Sequence, residues 1–298
     1  MIGFFNKNRV AVYCFYDRDG IADGYVCCFL RGLLEVAKRL VVVVNGRIRE
    51  DSLEKLKEIT PEIIIRKNEG FDAWAYRTGF LHIGWEALAG YDEVICCNSS
   101  VYGPVYPFRQ MFRAMSKKKE PDFWGITAHP VWKTEEFHNP YGYVPEHIQQ
   151  YFCVYRRKFV KTRDFKEYWE ELCPLEEFVD AIGLFETVLT KHFADLGYNW
   201  DTYVRYDPKE AKAMYFLLND PYKAVVDHKC PVLKRKTFTL LPNLPDNEPM
   251  RREIIRVLLY LQKKRLYNIR LIVENIVREK GDAPEEAADA PPEPKKDQ

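Results

Sequence analysis

The sequence predicts an α/β fold with a mostly parallel central sheet. Short apolar runs alternate with amphipathic segments, and Asn, Gly, Asp and Pro close most of these runs. The run at 40–44 (LVVVV) is apolar at every position, as in a strand that is covered on both faces. The chain of 298 residues is long enough for one large domain or two small ones.

The predicted elements follow one another at the spacing of βαβ units. In the first hundred residues we expect strands at 9–16, 40–44, 62–66 and 93–97 and helices at about 24–38, 50–58 and 73–89. Beyond residue 120 the expected elements are strands within 122–127 and 150–157, a loop at 128–146, and helices at about 163–172 and 183–196. Ligands of such open sheets bind at the carboxyl ends of the strands.

The C-terminal part differs in composition from the rest of the chain. Residues 250–280 predict a basic amphipathic helix or helix pair, with nine basic and three acidic residues in 251–280. Residues 281–298 are rich in Ala, Pro and acidic residues, a composition typical of disorder. We therefore expect a domain at 1–242, a helical extension at 243–280 and then the tail. The extension either lies on an anionic membrane or packs against the domain or a partner helix.

The overall composition excludes several classes of protein. Lys and Arg number 45 against 44 Asp and Glu, so the net charge of +1 argues against a dedicated nucleic-acid binder. No apolar run approaches the length of a membrane-spanning helix, and Lys7 and Arg9 interrupt what would be the apolar part of a secretory signal. The eight cysteines contain no C-x-x-C motif, which favours buried, reduced thiols. We therefore expect a cytoplasmic protein.

Polar side chains follow the ends of the predicted strands, where a ligand is expected. They are Tyr16 and Asp17, Asn45, Asn68, and the run Asn98, Ser99 and Ser100. The last three are followed by a turn containing Gly103 and Pro104. They either contact a ligand or a metal, or satisfy local backbone groups of an ordinary turn.

The segment NEGFDAWAYRTGF at 68–80 connects a predicted strand to a predicted helix. Gly70 permits a tight turn and a close approach of the backbone to a ligand. Asp72 either caps the helix or accepts a hydrogen bond from a sugar or base. Arg77 either forms a salt bridge or contacts a diphosphate, for which the free N–H groups of a helix start are also suited.

Two further segments carry candidate residues. Glu186 opens an amphipathic helix within GLFETVLTKHFADLGYNW, where a carboxylate can simply complement the helix N-terminus. A group of imidazole, amide and aromatic side chains precedes a predicted strand, and such groups suit the hydroxyls and faces of a sugar. This group, which either binds an acceptor or packs within its loop, consists of His147, Gln149, Gln150 and Tyr151.

Taken together, these segments resemble a known family. The motifs, in order over about residues 9–240, are VYCFYDRDG, NEGFDAWAYRTGF, CNSSVYGPVYPFRQMF, DFWGIT, HIQQYFCVY, FETVLTKHFADLGY and CPVLKRKTF. This set resembles the rhamnan synthesis protein F family, bacterial glycosyltransferases of rhamnose-containing cell-surface polysaccharides. The resemblance implies the GT-A fold, a Rossmann-like α/β sandwich. It also implies an inverting transferase that moves L-rhamnose from dTDP-L-rhamnose to a polysaccharide or lipid-linked glycan at the inner face of the cell membrane. The basic helix at 250–280 is the segment expected to contact that membrane peripherally.

The resemblance also implies roles for single residues. Glu186 would be the general base, and the nucleotide would lie near Tyr16, Asp17, Asn45 and Asp72. The diphosphate would lie near Arg77 and residues 98–100. The family usually carries an acidic residue in the segment that here reads Asn98-Ser99-Ser100, and hard cations such as Mg²⁺ or Mn²⁺ prefer anionic oxygen ligands.

Three alternatives follow from the missing carboxylate. A metal is held weakly by Asn98 and Ser100 with help from His228 or Asp227, or cations replace it, the candidates being Arg77, Lys234 and Arg235. The third alternative is a non-catalytic module, on a decayed transferase scaffold, that binds a sugar or a partner. A nucleotide-dependent oxidoreductase is disfavoured, because no G-x-G-x-x-G follows the first strand.

Overall fold

The computed structural model describes residues 7–133, 139–207 and 216–281. The strands are β1 (Arg9–Phe15), β2 (Arg39–Asn45), β3 (Ile63–Arg66), β4 (Glu93–Asn98), β5 (Val101–Tyr102), β6 (Phe123–Gly125), β7 (Ala128–His129), β8 (His147–Ile148), β9 (Phe152–Arg156), β10 (Trp200–Thr202) and β11 (Leu233–Lys234). The helices before residue 120 are α1 (Gly24–Leu34), α2 (Glu50–Lys57), α3 (Phe71–Ile83), α4 (Trp85–Ala89) and α5 (Phe108–Ser116).

The later helices are shorter until the C-terminal part is reached. They are α6 (Arg157–Val160), α7 (Arg163–Glu170), α8 (Phe178–Asp180), a π-helical segment (Ala181–Glu186), α9 (Thr187–Asp195), α10 (Phe216–Asn219), α11 (Pro221–Val226), α12 (Arg235–Thr239), a 3₁₀ turn (Leu241–Asn243), α13 (Pro249–Lys264) and α14 (Arg270–Gly281). The predicted long loop 128–146 contains β7, and its residues 134–138 lie outside the described part of the chain.

A seven-stranded sheet forms the centre of the described residues, in the order β10-β6-β9-β4-β1-β2-β3. All neighbouring pairs are parallel except those of β9, which runs antiparallel to both β4 and β6. Two short antiparallel pairs, β5 with β11 and β7 with β8, lie outside this sheet. The expected mostly parallel α/β sandwich is therefore confirmed.

The two faces of the sheet bury two separate apolar layers. Along β1, Tyr13 and Phe15 point into one layer, while Val10 and Val12 point into the other. Helices α1, α5, α13 and α14 contribute to the first layer, and α3, α7 and α9 contribute to the second. Every residue of β1 is buried, as expected for a strand with helices on both faces.

The predicted helix at 73–89 is divided into α3 and α4. Gly84 separates them with a φ of +83°, a backbone conformation that L-residues rarely adopt and that no helix contains. At the start of α3, Gly70 also has a positive φ of +64°, and a β-carbon there would lie 2.2 Å from Cγ of Trp74. Glycine at position 70 therefore has a structural reason that is independent of any ligand.

The C-terminal extension is a helix pair that packs on the domain. Ile254 and Leu261 of α13 and Ile272 of α14 are fully buried in the first apolar layer. The hydroxyl of Tyr102 donates a hydrogen bond of 2.6 Å to Oδ1 of Asn275, itself fully buried. The extension thus completes the core that the sheet begins. The predicted tail lies outside the described residues from position 282 onwards.

Candidate functional site

A cleft of about 560 Å³ lies at the carboxyl ends of β1, β2 and β4. The predicted residues that line it are Tyr16, Asn45, Asn68, Asp72, Asn98, Ser99, Ser100 and Glu186. Residues from the C-terminal half also line it, namely Phe178, Ala181, Ile182, Lys234, Arg235, Lys236, Thr239 and Glu279. Most of the polar groups expected at the strand ends therefore share one site.

A chain of hydrogen bonds crosses the end of β4 inside the cleft. Asn98 Nδ2 donates to Oδ2 of Asp72 at 2.9 Å, and the Ser100 hydroxyl donates to Oδ1 of Asn98 at 2.6 Å. Lys234 Nζ then donates to Oγ of Ser100 at 3.3 Å. The neutral residues Asn98 and Ser100 thereby connect a carboxylate on one side of the cleft to an ammonium on the other.

Glu186 occupies the last position of the π-helical segment Ala181–Glu186. Burial raises the pKa of Glu186, against the lowering effects of Lys234 and of the backbone N–H of Gln150. Single π-helical turns are rare and occur often at functional sites, where they redirect one side chain. The carboxyl group of Glu186 therefore binds a proton at a higher pH than that of an exposed glutamate.

Asp72, at the first turn of α3, is the second carboxylate of the cleft. Burial and the neighbouring charge of Glu186 raise its pKa to about 6, although Asn98 and the backbone N–H of Ala73 hydrogen bond to it. Burial lowers the pKa of Lys234, although the two carboxylates oppose this effect. These three groups form one electrostatically coupled set.

Asn45 and Ser99 line the cleft but use their side chains within the protein. Asn45 accepts a hydrogen bond of 2.6 Å from Arg66 and donates one of 2.7 Å to the carbonyl oxygen of Phe71. The Ser99 hydroxyl donates to the carbonyl oxygen of Tyr16 at 3.2 Å. Both residues therefore hold the strand ends together at the base of the cleft.

Comparison with known proteins agrees with the motifs. The model of the family described as rhamnan synthesis protein F matches residues 40–286. The chain belongs to this family. The uncharacterized protein y4gN of Sinorhizobium fredii is 26% identical over 191 residues, which span 63% of this chain and 46% of that protein. The chain thus spans about half the length of this curated relative.

Solved structures give weaker similarities. A cytidylyltransferase from Leptospira borgpetersenii has a TM-score of 0.42 and 8% identity, covering 86% of this chain and 97% of that one. An inositol-1-phosphate CTP transferase from T. maritima has a TM-score of 0.40 and 14% identity, covering 66% and 87%. Similarities at this level identify neither a ligand nor a reaction. The chain is thus a member of the rhamnan synthesis protein F family with an α/β sandwich fold around a mostly parallel sheet.

Three residues predicted at the donor, Asp17, Gly70 and Arg77, lie outside the cleft lining. Arg77 Nε donates to the carbonyl oxygen of Trp169 at 2.8 Å, which fixes the guanidinium against α7. Asp17 is buried and accepts a hydrogen bond of 2.5 Å from Arg278 of α14. Arg278 also pairs with Asp23 at 2.9 Å. Arg77 thus attaches α3 to α7, and Asp17 attaches the segment after β1 to α14.

The predicted acceptor group is largely buried. His147 stacks on His129 with ring centroids 5.2 Å apart, and burial lowers the pKa of each imidazole to about 4. Both rings are therefore neutral at physiological pH. Gln149 accepts a hydrogen bond of 2.7 Å from Thr127, and the Tyr151 hydroxyl bonds to the same Thr127. Gln150 does not line the cleft, and its side-chain amide donates to the carbonyl oxygen of Ile148 at 3.0 Å.

Of the predicted metal ligands, Asn98 and Ser100 lie together in the cleft, whereas His228 lies outside its lining. Oδ1 of Asn98 already accepts hydrogen bonds from the hydroxyl and the backbone N–H of Ser100. His228 packs edge-on against Phe216, with centroids 5.4 Å apart, and does not line the cleft. Within the described ranges, no group of three His, Cys, Asp or Glu side chains could hold a metal ion. The donor set at the end of β4 is neutral and therefore fits a hard cation poorly.

Several cleft residues carried no signal in the sequence. Phe178 is 67% exposed and packs edge-on against Phe71, at 6.2 Å between centroids, so an apolar wall faces the polar strand ends. Ile182 lies in the π-helical segment, which no propensity predicts. Glu279 lies on α14, beyond the segment that the motifs covered. Tertiary packing alone brings these residues to the site.

Proposed function

We propose that this chain is an inverting glycosyltransferase that moves a sugar, L-rhamnose from dTDP-L-rhamnose, onto a polysaccharide or lipid-linked glycan acceptor. The observation that carries the proposal is the coupled set Asp72, Glu186 and Lys234 around one cleft at the strand ends. A cleft with two half-buried carboxylates and a cation offers groups for both a proton acceptor and an anionic leaving group. The family description, rhamnan synthesis protein F, supports the choice of sugar.

In the proposed reaction, the carboxylate of Glu186 accepts the proton of an acceptor hydroxyl. The acceptor oxygen forms a bond to the anomeric carbon as the bond from that carbon to the diphosphate oxygen breaks. The nucleoside diphosphate leaves with the electron pair, and the proton stays on Glu186 until solvent removes it. A single in-line displacement inverts the anomeric configuration. Positive charge develops on the sugar ring in the transition state, so the placement of charge around the cleft controls the rate.

The raised pKa of Glu186 suits this role. A general base is most effective when its pKa lies near the working pH. At that pKa it binds the transferred proton more strongly than an ordinary carboxylate does, and a large fraction of it is still deprotonated and ready to accept a proton. Asp72 lies beside it, with one carboxylate oxygen held by Asn98 and the other by the backbone N–H of Ala73. With both oxygens engaged, Asp72 is better placed to accept a donor hydroxyl than to move a proton.

The experiment that tests this proposal measures nucleoside diphosphate release. The parent protein and Glu186→Gln are incubated with dTDP-L-rhamnose and a bacterial glycolipid extract as the acceptor source. We expect dTDP release and radiolabelled rhamnose in the lipid fraction with the parent, and much less of both with Glu186→Gln. The control Glu86→Gln, which alters an exposed helix residue, should behave like the parent. Nucleotide-sugar binding without any release would instead support the non-catalytic module.

The acceptor proposal includes contact with an anionic membrane surface. On α13, Ile255 is 41% exposed and Leu259 is 60% exposed, although the opposite side of the helix is buried in the core. Exposed basic residues surround them on the same face, namely Arg252, Arg256 and Lys263. Apolar side chains ringed by cations fit the surface of an anionic bilayer. Within the described part of the chain, no helix is both long and apolar enough to cross a membrane.

Flotation with vesicles tests this contact. We expect the parent to float with vesicles containing phosphatidylglycerol and to stay in solution with phosphatidylcholine alone. The double variant Ile255→Asp and Leu259→Asp should lose flotation, whereas Leu196→Asp, at an exposed leucine after α9, should keep it. Equal flotation of the double variant and the parent contradicts a membrane role for α13. The test uses point substitutions, because a truncation that removed α13 and α14 would expose the apolar core.

A further inference from the structure

Lys234 is held beside the end of β4 by its own strand. Strand β11 pairs antiparallel with β5, and the register places Lys234 opposite Val101. The next residue continues the attachment, because the backbone N–H of Arg235 donates to the carbonyl oxygen of Ser100 at 3.0 Å. The Lys234 side chain is thus fixed to the segment that ends β4, although about 130 residues separate the two in sequence.

The ammonium of Lys234 has hydrogen-bonding capacity to spare. It donates to the neutral hydroxyl of Ser100 at 3.3 Å and lies over the ring of Tyr151, 4.9 Å from the centroid. A lysine ammonium carries three donors. Among the residues that the structure describes, no carboxylate lies within ion-pair distance of it, although Asp72 and Glu186 lie near enough to couple electrostatically. The cleft therefore contains a positive charge that no direct ion pair neutralises.

The other half-buried cation of the cleft, Arg235, already forms contacts within the protein. Arg235 Nη1 donates to the hydroxyl of Tyr25 at 2.6 Å, and its Nη2 lies 3.6 Å from Oε1 of Glu279. These contacts fix α12 to α1 and α14. Arg235 thus shapes the wall of the cleft, and its charge is balanced by a neighbouring carboxylate.

We propose that the Lys234 ammonium, and no divalent metal, neutralises the diphosphate of the donor in this cleft. The inference rests on the proposed glycosyltransferase function and adds to it the identity of the cation. It follows from two observations: the neutral, internally bonded donor set of Asn98 and Ser100, and an ammonium that is bonded to that same set and forms no direct ion pair with the described residues. A phosphate oxygen beside Ser100 replaces water as the partner of the remaining ammonium donors, and charge-assisted hydrogen bonds of this kind are the strong ones.

Calorimetric binding of nucleoside diphosphates tests this inference without relying on turnover. The full chain is titrated with dTDP, UDP and GDP, first in EDTA and then with added MnCl₂. The variants are Lys234→Met, Lys234→Arg and the control Lys166→Met, whose lysine lies on the exposed face of α7. Lys234→Met approximates the length of the side chain and removes a half-buried charge, so we expect it to fold, and its thermal unfolding is measured beside the parent.

We expect the parent to bind one of these diphosphates equally in EDTA and in MnCl₂. Lys234→Met should bind it about 10- to 100-fold more weakly, the range expected when a hydrogen bond to a charged group is lost. Lys234→Arg should recover most of the affinity, since it restores the charge, and Lys166→Met should match the parent.

Three results would overturn the inference, and they separate it from the proposed function. Parent-like affinity of a folded Lys234→Met removes the lysine from the diphosphate site. Loss of binding in EDTA with recovery in MnCl₂ shows that the cleft uses a metal. Both results leave a nucleotide-sugar enzyme in place. Failure of the parent to bind any nucleoside diphosphate or dTDP-L-rhamnose contradicts the proposed function itself, and the inference with it.

Discussion

The substitution Glu186→Gln tests the proposed chemistry at a single atom. Glutamine has nearly the size of glutamate, and its amide oxygen can still accept a hydrogen bond. The variant therefore keeps the packing of the π-helical segment but cannot accept a proton. It also removes one of the two negative charges that act on Lys234.

The size and the pH dependence of the effect follow from the site. Loss of a general base lowers turnover by about 10²–10⁴-fold, equivalent to about 3–5 kcal/mol of transition-state stabilisation. Because burial raises the pKa of Glu186, parent activity should fall with decreasing pH at a higher value than an exposed glutamate would give. Asp72, with a pKa raised to about 6, becomes protonated in the acidic range as well and adds to that loss.

The assay compares kcat and KM for dTDP-L-rhamnose between pH 5 and 9. We expect kcat of Glu186→Gln to fall and KM to change little, because the carboxylate acts on the acceptor rather than the donor. The control Glu86→Gln should retain parent kinetics, and both variants should unfold at the parent temperature. A kcat of Glu186→Gln within about threefold of the parent, with the acidic limb unchanged, would refute the base role.

Two further predictions concern stability. Gly79→Ala should destabilise the fold by about 1–3 kcal/mol in urea unfolding, because its β-carbon would lie 2.4 Å from Cγ1 of the fully buried Val12; parent-like stability would mean that α3 can shift away from β1. Arg278→Met should cost about 1–3 kcal/mol, because it leaves the carboxylates of Asp17 and Asp23 without their shared partner, and an unchanged unfolding midpoint would show that α14 is held by its apolar contacts alone.

The sequence predicted most strands of the central sheet but not their order. The runs that predicted strands at 9–16, 40–44 and 93–97 correspond to β1, β2 and β4, because parallel strands buried on both faces leave a continuous apolar signal. The antiparallel direction of β9 and the π-helical segment left no such signal. Both depend on contacts between residues far apart in the chain.

The sequence predicted those residues of the candidate site whose positions follow from the sheet topology alone. Tyr16, Asn98 and Ser100 meet because the carboxyl ends of neighbouring parallel strands share one edge. Arg77 was misplaced for a geometric reason. It lies five residues after Asp72 on α3, a rotation of about 140° around the helix, so a cleft that contains Asp72 excludes Arg77. Its guanidinium instead reaches α7.

Lys234 shows the opposite case. The sequence identified it as a cation that could replace a metal, but its position depends on the two-residue pairing of β11 with β5, which is too short for periodicity to predict. The same pairing decides that Lys234, rather than Arg77, lies beside Asn98 and Ser100. The distinction between a metal site and a lysine site thus required the structure.

A crystal structure of the chain with dTDP-L-rhamnose tests the central claim most directly. We expect the diphosphate at the end of β4, with an oxygen at hydrogen-bond distance from Nζ of Lys234 and the anomeric carbon facing the carboxylate of Glu186. Nucleotide bound instead in the separate cleft lined by Trp200 and Arg205, or a diphosphate held by a metal away from Lys234, would contradict it.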